Sequence, residues 1–87
     1  MPLISFFYGI SIYLYFRDHN PPHFHAEYAE FEAKISIETL TITKGYLPDR
    51  ALKLIKEWAS KHQQELIDNW EKVSVHGLKP SKIAPLD

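Results

Sequence analysis

Cysteine is missing altogether from the 87 residues. No disulfide can therefore brace so short a chain, and no thiolate is on hand to bind a metal or attack a substrate. An excess of one charge is missing too: 10 Lys and Arg stand against 11 Asp and Glu. That balance excludes the strongly basic stripe expected of a general nucleic-acid binder, though not a local basic patch. A membrane span needs ~20 consecutive apolar residues. The uncharged opening, residues 1–16, is shorter and is broken by Ser5, Gly9 and Ser11. It also lacks the basic start and small-residue cleavage site of a secretory leader. A cytoplasmic protein that makes no use of a membrane is expected.

Aromatic residues are plentiful, with two Trp, five Tyr and five Phe. A chain below the usual domain size of ~100–150 residues forms one domain and buries a modest share of its surface, so it leans on large side chains. These aromatics should form the core.

From Ile4 to Phe16 every even position is apolar, the period of a strand. Gly9 marks a bend or bulge. Because parity survives it, the expected arrangement is a bent strand or two short strands joined by an odd number of turn residues. Arg17-Asp18-His19-Asn20-Pro21-Pro22 interrupts the pattern as a loop. The next strand places Phe24, Ala26 and Tyr28 on one face and His23, His25 and Glu27 on the other. Phe31, Ala33, Ile35 and Ile37 supply a matching apolar face. A turn at Ala29-Glu30 joins the two, although Ala-Glu is poor hairpin chemistry beside Asn-Gly. This register sets Glu27 opposite Glu32, His25 opposite Lys34 and His23 opposite Ser36. Parity flips after Ile37, which places another hairpin near Glu38 to Leu40.

Leu47-Pro48-Asp49 opens a helix, with proline suited to the first turn and aspartate to the positive end. Leu52, Ile55, Ala59, His62, Leu66, Trp70 and Val73 then recur at helical spacing. The unbroken phase favours one long helix kinked near Lys61; Ser60-x-x-Gln63 would alternatively cap a second. Gly77 ends it, and Pro80 and Pro85 keep the tail extended. The expected fold is α+β: an N-terminal antiparallel β-meander of four to five strands (residues 1–46), packed against a long or kinked helical segment (47–76). An extended arm (77–87) follows, apolar enough at Leu78, Ile83 and Leu86 to dock on its own sheet or on a partner.

Chemistry concentrates between His19 and Glu27, with Glu32 and Lys34 on the strand opposite. Three readings compete there. In the first, His23 and His25 on the strand, with Glu27, Glu32 or His19, ligate a divalent metal such as zinc, which favours imidazole and carboxylate. In the second, His23, His25 and Glu27 do metal-free acid–base work on RNA, with Arg17, His19, Lys34 and Arg50 as binding residues and the cations among them holding phosphate. In the third, the segment is a solvated sheet face whose charges are relieved diagonally by Lys34. Trp58, His62 and Trp70 on the helical stripe read as core packing.

Met1-Pro-x-Ile4-Ser5, Phe7 to Ile10, Leu47-Pro48, Glu57-Trp58-Ala59, Asn69-Trp70, Ile83-x-Pro85-Leu86 and above all Asp18-His-Asn-Pro-Pro-His-Phe-His25 together resemble a small bacterial family, domain of unknown function 4160. The likeness covers nearly the whole chain. It implies no established activity. It does imply a context, since members are often encoded beside another small uncharacterised family, as a toxin–antitoxin-like pair would be. The chain departs from that family at Ala29-Glu30 and Leu40, where relatives tend to carry turn glycines. The leading expectation is a toxin-like or regulatory component of a two-gene system, acting on RNA if catalytic, with a small neighbouring protein or a second copy as partner. The alternatives are a non-enzymatic protein-interaction or oligomerisation domain and a divalent-metal-binding protein.

Overall fold

The computed structural model describes residues 2–87. Five strands come first: β1 (Leu3–Phe7), β2 (Ile10–Tyr13), β3 (His23–Tyr28), β4 (Phe31–Ser36) and β5 (Ile42–Tyr46). They form one antiparallel sheet in the order β1-β2-β3-β4-β5, a meander in which each strand pairs with its sequence neighbour. Two α-helices follow, α1 (Asp49–Lys61) and α2 (Gln63–Trp70), and the chain then makes a wider π turn over Glu71–Val75. The α+β class is as the periodicity implies. No helix among the described residues is long and apolar enough to cross a membrane.

The inner face of the sheet carries Ile10, Ile12, Phe24, Ala26, Ala33 and Ile35, all buried. Trp58 of α1 closes over them, its ring 5.2 Å from Phe7 and 6.0 Å from Phe24. Its indole N–H donates to Ala84 O at 2.8 Å, so the largest core side chain also fastens the C-terminal arm. Ile83 is buried, and its amide donates to Ile4 O at 2.9 Å. The arm thus docks on its own sheet.

Two expectations are corrected. The first two strands are joined through two residues, Tyr8 and Gly9, rather than an odd number. Both have positive φ, 50° and 78°, the backbone of the tight turns that suit sheet twist. Parity is restored by an irregularity in β1 between Leu3 and Ser5. Phe7 consequently packs inward while Phe6, Tyr8 and Phe16 face solvent. Secondly, the helical segment is divided at His62, whose φ of −127° lies outside the helical range. Ser60 caps nothing there, its hydroxyl bonding back to Glu57 O, and the His62 ring instead contacts Glu65 Oε1 at 2.7 Å.

Candidate functional site

The β3–β4 register pairs His23 with Ser36, His25 with Lys34 and Glu27 with Glu32, as the alternation implies. The turn is made without glycine, Ala29 taking a φ of 53°. Following these pairs across the sheet gives two parallel rows on its outer face. One runs Tyr13, His25, Lys34, Lys44 and the next Ser11, Glu27, Glu32, Tyr46. Lysine therefore faces lysine and glutamate faces glutamate, an arrangement that costs stability. Among the described residues no ion pair joins Glu27 or Glu32 to Lys34 or Lys44. A depression of ≈ 200 Å³ lies along the cationic row, bordered by His25, Glu32, Lys34, Lys44 and Gly45.

Asp18 organises the other end of this row. The loop after β2 carries a cis Asn20–Pro21 peptide bond and returns Asp18 to the start of β3. Asp18 Oδ2 stands 2.9 Å from His23 Nε2 and 3.2 Å from His25 Nε2. The second contact is a hydrogen bond. The first is close but out of line, so His23 Nε2 is buried with no aligned partner. On its other side, His23 Nδ1 lies 2.8 Å from Pro21 O. A carbonyl oxygen only accepts, so Nδ1 carries the N–H. Both rings are held face and edge: His25 stacks on Tyr15 at 4.0 Å, His23 packs on Trp70 at 5.0 Å, and the two imidazoles meet edgewise at 5.1 Å. His23 and His25 are only 6% and 7% exposed.

Burial and charge oppose each other here. Desolvation pushes the Asp18 carboxyl up, but the His19 backbone N–H, the hydrogen bond from His25 and the two adjacent imidazoles together hold it below the ordinary value. His25 is lowered, chiefly by desolvation and further by His23 and Lys34, against the opposing pull of Asp18. Tyr15 is raised, first by burial and then by the negative charge of Glu32, Glu27 and Asp18. An imidazole held neutral beside an ionised carboxylate suits proton transfer or metal ligation alike.

Of the residues singled out from sequence, the fold thus brings together His23 and His25, with Lys34 alongside. Glu27 and Glu32 form the neighbouring row, outside the convergent group. His19 is exposed and contributes its backbone amide. Arg17 turns away, its guanidinium lying over Gly77. Arg50 borders a separate depression with Tyr8 and Tyr28. Asp18, Tyr15, Trp70 and Lys44 join the site unforeseen. Among the described residues, Asp18, His23 and His25 are the group whose ligand atoms all lie within 4.8 Å of one another.

One family model, that of Domain of unknown function (DUF4160), matches residues 9–71. The matched stretch takes in β2 to β5, both helices and the whole Asp18–His23–His25 group, and stops short of the arm. No curated protein and no solved structure matches the chain.

Proposed function

The chain belongs to the DUF4160 family, and from the chemistry of its site we propose that it is a toxin-like cytoplasmic component of a two-gene pair that acts on RNA. The observation that carries this reading is the row His25, Lys34, Lys44, which runs unneutralised from the Asp18–histidine group to the edge of the sheet. Paired lysines without acidic partners are relieved by an anion, and a phosphodiester brings one at every residue of its backbone. Tyr13, Tyr46 and Phe6 stand on the same outer face, Tyr46 and Phe6 well exposed. Aromatic faces beside lysines stack unpaired bases, so a single strand fits this surface better than a duplex. Glu27 and Glu32 flank the row and confine the backbone to one track.

The first test is induced expression in a bacterial host, with wild type compared against Lys34→Gln/Lys44→Gln. Both lysines are outside the core, so the variant should fold, and circular dichroism checks that it does. Wild type should arrest growth with loss of intact RNA, and the variant should not. Normal growth under both, or arrest with RNA intact, overturns the proposal.

A further inference from the structure

We propose that Asp18, His23 and His25 bind one divalent transition-metal ion through Asp18 Oδ2 and the two Nε2 atoms. The inference deepens the functional reading above by supplying a cofactor to the same site, and it is tested without RNA.

Spacing is the first support. Zinc–ligand bonds of ~2.0–2.1 Å at tetrahedral angles place neighbouring ligand atoms about 3.3 Å apart. The two nitrogen–oxygen separations are 2.9 and 3.2 Å. Both are within a few tenths of an ångström of that spacing, and all three ligand atoms lie within 4.8 Å of one another. The donors come from two neighbouring positions on one side of β3 and from a loop bound back onto it, so they are assembled before any ion arrives.

Tautomer is the second and weightier support. The Pro21 carbonyl takes the N–H of His23 Nδ1, so Nε2 is the nitrogen through which this ring can bind an ion. Nε2 is buried without an aligned hydrogen-bond partner, 2.9 Å from Asp18 Oδ2. A buried polar atom left without a partner is costly. A cation bound by both atoms gives Nε2 that partner. An added proton on Nε2 would do less, because the N–H direction misses the oxygen. The Nδ1–H to backbone carbonyl contact is also the usual outer support of a metal-bound imidazole, fixing its orientation and raising its basicity.

Packing and chemistry agree. Tyr15 and Trp70 clamp one imidazole each, so little side-chain entropy remains to be lost on binding. Two imidazoles and one carboxylate suit zinc and other first-row divalent ions, and three protein ligands leave a coordination position for water or substrate. His25 also borders the depression along the lysine row, which gives that position an outlet toward the proposed phosphodiester track.

The experiment uses the full chain, purified without a histidine tag and stripped with chelator. Zinc is titrated in competition with a chromophoric chelator. One equivalent should bind with micromolar affinity or tighter. Asp18→Asn and His25→Gln should each weaken binding roughly tenfold or more, while His62→Ala/His76→Ala should leave it unchanged. X-ray absorption on the zinc-loaded wild type should give nitrogen and oxygen neighbours with the scattering signature of two imidazoles, a readout independent of whether the variants fold. No binding at micromolar zinc, or binding lost only with His62 and His76, overturns the metal site. Zinc bound as described with no effect on RNA or growth leaves the metal site standing and removes the RNA reading. Lysine-dependent loss of RNA by a chain that binds no zinc does the reverse.

Discussion

Ala29 pays a conformational penalty that a single hydrogen atom in place of its methyl would remove. Its φ of 53° lies in the left-handed region, which costs a non-glycine residue roughly 1–2 kcal/mol. Glycine adopts it freely but is about 0.4–1 kcal/mol more disordered in the unfolded chain. The balance favours the substitution, because Ala29 is exposed and no buried methyl is lost. Ala29→Gly should therefore raise stability by about 0.5 kcal/mol, read as a later urea midpoint at unchanged slope. Leu40 has the same backbone, φ 58°, yet packs against the core. Leu40→Gly should destabilise, because truncating a packed leucine costs roughly 2 kcal/mol or more. A loss of stability in Ala29→Gly would mean that the alanine methyl makes a contact worth more than the strain. The same scale explains what the letters hid at the site. His23 and His25 were legible because a strand has a strict period of two and both fall on one side of it. Asp18 was not, since it lies in an aperiodic loop whose return path residue types do not specify. The stacking of Tyr15 on His25 was hidden for the same reason, Tyr15 lying just beyond the end of β2.

Elements are joined more by backbone acceptors than by sequence pattern. The β3–β4 pairing could be read off because shifting it by one residue would turn Phe24, Ala26, Ala33 and Ile35 out of the core. The β1–β2 pairing could not, because a strand irregularity and a two-residue turn shift parity in opposite senses and together imitate an unbroken repeat. Likewise the stripe from Leu52 to Val73 keeps its phase across His62, so periodicity reports a single helix where the backbone makes two. The arm is a third case. Its apolar residues announced docking, but they did not announce a polar anchor, Asn69, buried in α2, whose amide donates to Ser81 O at 2.8 Å and accepts from Ser81 N at 2.9 Å. Asn69→Ala removes both bonds. With each worth about 0.5–1.5 kcal/mol and the Ser81 groups free to rehydrate, the expected loss is about 1–2 kcal/mol. Hydrogen exchange locates it: the Ile83 amide should lose protection, whereas amides paired between β3 and β4 should hardly change. Uniform loss across both regions would show that the arm and sheet open as one unit.

At the scale of the whole molecule, a net charge of −1 conceals a segregated surface. Along the outer face cations share one row and carboxylates the next, so the field seen by an approaching ligand depends on where it lands rather than on the total. A phosphate chain that follows the lysine row displaces counterions there, and the salt dependence of its binding counts them. For single strands the logarithm of affinity falls with the logarithm of salt concentration at a slope of about −0.7 per neutralised phosphate. Removing Lys34 and Lys44 should therefore make the slope shallower by about 1.4, besides weakening binding at low salt. The measurement is fluorescence anisotropy of a short labelled single-stranded RNA with wild type and Lys34→Gln/Lys44→Gln, repeated over a range of salt. Glu27→Gln/Glu32→Gln serves as the counterpart: removing the negative row should tighten binding at low salt and leave the lysine count, and so the slope, nearly as it was. An unchanged slope in the lysine variant would place the RNA elsewhere on the molecule. A shallower slope in the lysine variant alone would identify the phosphate track as the row that begins at His25, beside the proposed metal.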